Sequence, residues 1–419
     1  MIFNSSKYNT DWGTQPLSAL GKFQRGKSRH RPRNDPKLFA NGSYPLVQTG
    51  GVKAANLYIR SHEANYNEFG LSQSAIWPEN TLCITIAANI AETALLGYPM
   101  CFPDSVVGFN ANPEESTELF MHYVFTYIRK AIQNSASGSI QDNINIEYLT
   151  GLRFKIPVKD YQDKIVAVLS VLDQKIELNN RINAELEAMA KTLYDYWFVQ
   201  FDFPDDSPQG QGKPYKTSGG KMAYNPILKR EIPEGWSDKT LSQIANITMG
   251  QSPEGSSYND EGVGTIFYQG STDFGWLFPT TRQYTTAPSR MAKKGDILLS
   301  VRAPVGDMNI ANTDCCIGRG LAALNSKTGS DGFLFYVMKY FKQVFDRRNS
   351  EGTTFGSITK NDLHSLTLAY PTSDLLKKYD EIVTNYNKMI FERSLENREL
   401  IALRDWLLPM LMNGQVTVE

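Results

Sequence analysis

The chain has 419 residues, with 43 lysine or arginine against 44 aspartate or glutamate, and a formal net charge of −1. Its apolar share of 41% and charged share of 21% are those of a folded globular protein, which excludes a disordered or fibrous chain. A balanced charge also argues, taken whole, against a nucleic-acid partner, which usually shows as basic excess. No run of about 18 apolar residues is present, so a membrane span is not expected. The start MIFNSSKYNTDWG lacks a charged head and apolar run, so it does not read as a secretory leader. Cys83, Cys101, Cys315 and Cys316 have neither CxxC spacing nor framework density and read as reduced residues of a cytoplasmic protein.

In chain order, TLCITIAANI (81–90) is β-rich, and ELFMHYVFTYIRKAIQ (118–133) has apolar residues at helical spacing. Pro157 precedes a long helix predicted from about Lys159 to Phe201, with Pro204 at its end. Residues 204–235, dense in Gly, Pro, Ser and Lys, read as a linker or an ordered extended connector. The order then recurs: a strand DILLSV (296–301), a helix GFLFYVMKYFKQVFDRR (332–348), Pro371, a long helix from Ser373 to Met412, and Gly414.

The recurrence is a duplication. Trp12–Ser28 aligns without gaps to Trp236–Ser252, with Trp12, Leu17, Gly26 and Ser28 meeting Trp236, Leu241, Gly250 and Ser252. Tyr123 and Tyr127 meet Tyr336 and Tyr340. Gly138, Pro157, Lys164, Ile176 and Asn183 meet Gly352, Pro371, Lys378, Ile390 and Asn397. The period is too long for a solenoid, so a whole module is used twice. Its parts are 1–157, a first globular part; 158–203, a first helix; 204–371, the connector and a second globular part; and 372–419, a second helix.

Both long helices carry a heptad, through Ile165, Leu169, Ile176 and Leu186 in one and Tyr379, Val383, Ile390 and Leu400 in the other. A sustained 3.5-residue period predicts a coiled coil, here antiparallel with pseudo-two-fold symmetry. The alternative is that each helix packs on its own globular part. Asn179, Asn183, Arg393 and Asn397 fall on the seam, where polar residues trade stability for one register.

Divided by module, the charge is +2, −3, +2 and −2 along the four segments. The globular parts are mildly basic and the helices acidic. Lys22, Arg25, Lys27, Arg29, Arg31, Arg33 and Lys37 crowd one stretch against Asp35 alone. Such a cluster suits phosphates, or is a solvated basic loop. The second copy has no such cluster in QSPEGSSYNDEG (251–262).

Motifs for catalysis are not found. GQSPEGSS (250–257) lacks the lysine of a phosphate loop, NPIL (225–228) lacks the second proline and aromatic of an amino-methyltransferase motif, and the four histidines have no zinc spacing.

Two modules, each a globular part ending in a heptad helix, resemble the DNA-specificity subunit of type I restriction–modification systems. LDQKIELNNRINAELEAMAKTLYDYWFVQFDFP (172–204) is similar to that family's first helix and its exit. GDILLSVRAPVGDMNIANTDCCIGRGLAAL (295–324) and GTTFGSITKNDLHSLTLAYP (352–371) look like its recognition domain and junction. Copy one departs, since IAANIAETALLGYPMCF (86–102) lacks the RAPVG string.

The resemblance implies a mixed α/β fold of two target-recognition domains, each reading half of an asymmetric, gapped double-stranded DNA target. It implies a chain without catalytic residues or bound cofactor. Two methyltransferase subunits would bring S-adenosylmethionine, and two motor–nuclease subunits ATP and Mg. A helix of about 40 residues spans roughly 60 Å, enough to hold two readers one or more DNA turns of about 34 Å apart. A stand-alone DNA-binding regulator, a fused methyltransferase and a structural coiled coil are the competing readings.

DNA-facing candidates come from loops. In copy one they are Arg25, Lys27, Ser28, Arg29, Arg31, Arg33, Gln48 and Thr49. In copy two they are Gln251, Ser252, Tyr258, Gln269, Ser271, Arg282, Arg302 and Arg319. Gln48 and Gln269 stand at aligned strand–loop junctions, where each is either an adenine reader or a surface amide. Arg302 in its RAPVG turn either reaches DNA or pairs with Asp296 or Asp307. Trp197 and Phe198 either anchor the methyltransferase or pack on the chain's own recognition domain.

Overall fold

The computed structural model describes residues 2–137, 144–350 and 357–419. The aligned pair Gly138 and Gly352, and residues 352–356 of the second junction string, lie outside them. The chain divides into two units, Met1–Asn179 with Glu396–Glu419, and Asn180–Leu395. Each long helix is therefore shared out between the units.

In the first unit, Gly13–Pro16 pairs antiparallel with Arg153–Ile156, the strand just before the long helix. A five-stranded sheet follows the order Gly21–Arg25, Val106–Ala111, Leu82–Thr85, Thr93–Leu96 and Tyr58–Ile59. A four-stranded sheet orders Ala64–Tyr66, Tyr44–Leu46, Met100–Cys101 and Ile76–Trp77. Leu82–Thr85 and Thr93–Leu96 are buried at every residue. That is why these runs do not alternate and are apolar but for one threonine each, Thr85 and Thr93. Helix Glu118–Ser137 adds Phe120, Met121, Val124 and Ile128 to the core with Leu82, Ile84, Leu95 and Phe109.

The second unit repeats the plan. Ser237–Thr240 pairs with Thr367–Tyr370. One sheet orders Ala245–Met249, Leu321–Ser326, Ile297–Ser300 and Met308–Ile310. The other orders Tyr258–Asn259, Tyr284–Thr285, Thr265–Tyr268, Cys315–Ile317 and Met291–Ala292. The same tie recurs with changed residues. The Glu118 carboxylate accepts from the Ala111 amide at 2.9 Å, and the Asp331 carboxylate from the Ser326 amide at 2.6 Å. Arg129 pairs with Glu92 at 3.2 Å, where the second unit pairs Lys342 with Asp307.

The first long helix runs Lys159–Tyr194 and closes in a π-turn, Asp195–Val199. The second runs Ser373–Met412 and contains Pro409. Proline there removes one backbone hydrogen bond, and only three further residues follow before the helix ends. Within the first unit the helical segments run antiparallel. Asp173 meets Arg404 at 2.8 Å, and the Asn179 amide donates to the Asn397 Oδ1 at 2.8 Å. Ile165 and Leu169 are buried in one cluster with Leu408 and Leu411, and Ile176 is buried further along the helix. The seam residues do not act alike. Asn179 bonds across to Glu396 and Asn397. The buried Asn183 Oδ1 accepts no hydrogen bond among the described residues, and Arg393 donates to its own helix at the Met389 carbonyl, 3.1 Å away.

The connector is ordered. Met222–Asn225 and Arg230–Pro233 form a hairpin. Phe203 stacks between Tyr215, at 4.6 Å, and Trp236, at 5.4 Å.

Trp197 and Phe198 require a correction as partner anchors. They are 6% and 4% exposed, packed in the second unit's core against Tyr379, with Phe198 also on Phe333. The π-turn directs both rings inward, so neither offers a surface to another subunit.

His122 is buried and bonded through Nδ1 to the Thr93 hydroxyl at 3.0 Å. Burial, with Arg129 and Arg404 nearby, pushes its pKa down from 6.5 to about 3. Between those values the unfolded chain binds the extra proton. This group therefore makes stability fall as pH drops from about 6.5 towards 3, by at most about 1.4 kcal/mol per pH unit. The aligned residue of copy two is Phe335. His122→Phe is expected to flatten that acid slope, read from urea midpoints at pH 4 and pH 7. An unchanged slope would assign it to other groups.

Candidate nucleic-acid interface

In the first unit, the basic loop leaves the strand Gly21–Arg25 and is held by polar contacts. The Gln73 Oε1 accepts from the backbone N–H of Arg29 at 2.6 Å and of His30 at 3.1 Å. The Ser74 hydroxyl donates to the Lys27 carbonyl at 3.0 Å. Asp104 then gathers three arginines. Arg33 reaches its Oδ1 at 2.6 Å, Arg31 its Oδ2 at 3.4 Å, and Arg25 Nε donates to its carbonyl at 2.5 Å. The Arg31 and Arg33 side chains remain 54% and 51% exposed. They are aimed by one carboxylate but remain open to solvent, as a phosphate-binding pair requires. His30 bonds Asp35 at 2.8 Å, and the Lys37 amide with His30 holds the Asp35 carboxyl below its usual range.

Ser28 requires a correction. It is 6% exposed, and its carbonyl accepts from Arg31 at 2.6 Å. It shapes the loop instead of facing outward. Arg25, Lys27, Arg29 and Gln48 are exposed, and Thr49 half-buried.

Gln48 follows Tyr44–Leu46, which runs parallel to Met100–Cys101, with the Val47 amide on the Cys101 carbonyl at 2.9 Å. Parallel strands end on the same side. Gln48 and Asp104 thus leave from one end of the pair.

The second unit builds the same junction. Thr265–Tyr268 runs parallel to Cys315–Ile317, and the Gly318 amide donates to the Tyr268 carbonyl at 2.8 Å. Gln269 and Arg319 emerge together. The Ser252 hydroxyl and the Gln269 amide exchange hydrogen bonds at 2.9 and 3.1 Å, and the Arg319 N–H reaches the Ser252 hydroxyl at 3.3 Å. The Gln251 amide donates to the Ile317 carbonyl at 3.0 Å. Position 318 favours glycine, because a Cβ there would lie 2.9 Å from the Gln269 Cα. The Val301 amide on the Gly320 carbonyl, at 2.9 Å, brings Arg302 to the facing strand end. Gln251, Ser252, Gln269, Arg302 and Arg319 therefore converge on one rim, with Gln269, Arg302 and Arg319 exposed.

Neither ion pair considered for Arg302 forms among the described residues. Asp307 pairs with Lys342, and Asp296 accepts from the Lys293 amide and Asn325. Arg282 is tied to Asp273 at 2.8 Å, which holds its guanidinium well in the charged form while it stays 67% exposed. Ser271 opens the short turn that carries Asp273. The Tyr258 hydroxyl is engaged by the Pro253 carbonyl at 2.9 Å and its ring packs on Phe267, so it supports the loop.

Asp104 and Gln73 were not legible as site residues. Strand register shows why Asp104 matters. Gly26 bonds the Val106 carbonyl and Gly250 that of Leu321, which sets Asp104 where copy two has Arg319. Ungapped alignment loses this correspondence, because the offset drifts between the two stretches. Among the described residues, no group of three or more His, Cys, Asp or Glu side chains could hold a metal ion, and no helix is long and apolar enough to cross a membrane.

The family model of the type I restriction modification DNA specificity domain matches residues 9–188 and 233–397, once per module. This chain belongs to that family. Its members include specificity subunits of type I restriction enzymes. The provisionally named type I restriction enzyme MjaX specificity subunit of Methanocaldococcus jannaschii is 32% identical over 302 residues, 71% of this chain and 65% of that protein. The chain thus matches just under two thirds of that relative's length. The MjaIX specificity subunit of the same organism is 23% identical over 441 residues, 99% of this chain and 95% of that one. The crystal structure of the S subunit from M. genitalium has 18% identity and a TM-score of 0.58, covering 98% of this chain and 99% of that one. It has the same mixed α/β fold.

Proposed function

We propose that this specificity subunit reads a bipartite, asymmetric, gapped double-stranded DNA target, one half-site per recognition module, and has no catalytic groups of its own. The observation that carries the reading is the repeated junction. In both modules a glutamine and a charged residue leave the same end of a parallel strand pair, Gln48 with Asp104 and Gln269 with Arg319. Glutamine can bond adenine with two hydrogen bonds and arginine can fork onto guanine. The different charge at the paired position supports two different half-sites. Arg25, Lys27, Arg29, Arg31 and Arg33 are assigned to phosphates.

The heptad helices act as an antiparallel coiled-coil spacer and as the docking scaffold for two methyltransferase subunits, which supply S-adenosylmethionine. Two motor–nuclease subunits bring ATP and Mg to a restriction complex in the cytoplasm. Inserting one heptad into the Lys159–Tyr194 helix, with a matching one in Ser373–Met412, is expected to widen the recognised gap and leave both half-sites unchanged. Mapping modified adenines in cells carrying this subunit and its methyltransferase reads the result, and an altered half-site would refute the spacer role. A stand-alone regulator predicts instead that no methyltransferase co-purifies.

A further inference from the structure

The first unit holds a groove of about 570 Å³ beside Trp12, walled by Tyr161, Gln162, Glu114, Glu115 and Thr417. That size suits a side chain or short peptide segment. The floor is built rigidly. Gln162, 2% exposed, accepts from the Ser116 hydroxyl at 2.8 Å and donates to the Glu115 and Pro157 carbonyls at 2.9 and 3.0 Å. The rim leaves apolar surface in the open, with Val158 76% and Tyr8 49% exposed.

The second unit shows what such a place holds. Trp236 is the aligned counterpart of Trp12. It is covered by Phe203 at 5.4 Å and an interplanar angle of 21°, and Phe203 by Tyr215 at 4.6 Å and 16°. The helix alignment sets Thr417 where Phe203 stands. In the first unit Trp12 packs on the core from one side, and its one aromatic neighbour among the described residues is Tyr161, met edge-on at 5.9 Å.

Charge separates the two places further. The loop between strand and helix is bounded by the equivalent ties Ala111–Glu118 and Ser326–Asp331. It is longer in copy one, and the addition carries Glu114 and Glu115, where copy two has Lys327, Thr328, Gly329 and Ser330. Asp11 also lines the groove, at the position of Gly235. The one lysine present, Lys159, is held by Asp163 at 2.6 Å.

We propose that this groove docks an extended peptide segment of a partner polypeptide, carrying an aromatic residue flanked by lysine or arginine. The aromatic ring stacks over Trp12 as Phe203 does over Trp236, and the flanking cations meet Glu114, Glu115 and Asp11. This surface is distinct from the rims assigned to DNA, and the proposal does not depend on that assignment.

The test titrates the full chain with a labelled synthetic peptide, GKPYKTS, the sequence of residues 212–218. Saturable one-to-one binding is expected, weakened at least about tenfold, or about 1.4 kcal/mol, by each of three changes. These are alanine for tyrosine in the peptide, Glu114→Lys with Glu115→Lys, and Thr417→Phe, which fills the groove from within the chain. Positions 114, 115 and 417 are exposed, and unchanged melting of the variants shows that they fold. The proposal is overturned by absent saturation, or by binding that Thr417→Phe leaves intact. It is also overturned if the chain alone sediments as a dimer that Thr417→Phe converts to monomer, which would make a second copy the occupant.

Discussion

Asp173→Ala is expected to cost about 3–5 kcal/mol in the stability of the first unit, the cost typical of breaking a buried ion pair from one side. Asp173 is 6% exposed and serves two partners. The Tyr123 hydroxyl donates to its Oδ2 at 2.7 Å, and Arg404 Nη1 donates to its Oδ1 at 2.8 Å. Removing the carboxylate leaves a buried phenol without its acceptor and takes from a guanidinium only 24% exposed its more buried partner, leaving it the exposed Asp405 at 2.8 Å. The phenol is already held far above its normal ionisation range, first by burial and then by Asp173, so it cannot relieve the site by losing its proton. Asp173→Asn keeps an acceptor but loses the charge, and should fall between wild type and alanine. Lys175→Ala, which removes an exposed pair with Glu396 at 3.3 Å, should change stability by less than about 1 kcal/mol. Hydrogen exchange resolved by segment, with urea midpoints, separates these outcomes. Equal effects of Asp173→Ala and Lys175→Ala would refute a larger contribution from the buried carboxylate that joins Tyr123 of the recognition module to the paired helices.

Arg319→Asp is expected to reduce affinity of the methyltransferase complex for one half-site by about 10–100-fold, the worth of one well-placed base contact. Aspartate is the residue that the first module has at this position, so the backbone there accommodates it. Its carboxylate would face DNA phosphates and lose the fork that guanine requires. Competition with duplexes altered in one half-site at a time distinguishes two cases. A base contact gives a loss confined to the second module's half-site, with specificity relaxed at one position. A phosphate contact gives a uniform loss and a salt slope lower by about one. No loss in either duplex set would remove Arg319 from the interface.

The duplication was legible because Trp12 and Trp236, Pro157 and Pro371, and the heptad positions survive in both copies. Helix Ser373–Met412 matches its expected limits, since Pro371 and Gly414 bracket it. The first helix closes earlier, in a π-turn that no local signal announces. The apolar run 81–90 gives a strand of only Leu82–Thr85, because apolar composition marks burial and not the point where pairing stops. Basic residues at 25–33 were visible, but their organiser, Asp104, comes from a strand end far along the chain. Contacts between distant segments depend on register, which composition does not carry. The same limit explains Trp197 and Phe198, whose aromatic character is equally consistent with an anchor and with a core. Only the turn geometry decides between them.

The division of the long helices also sets an order of assembly during synthesis. The second unit is one uninterrupted stretch, Asn180–Leu395, and can close its core as soon as that stretch leaves the ribosome. The first unit cannot. Its core includes Leu408, Leu411 and Met412 beside Leu169 and Phe154, and Asp173 waits for Arg404. The module translated first is therefore the one completed last, and until residues 396–419 arrive it exposes an unfinished apolar face. A first recognition module exchanged by recombination must therefore fit residues 396–419, encoded beyond the whole of the second unit, so inheritance of specificity is coupled to two separated stretches of the gene.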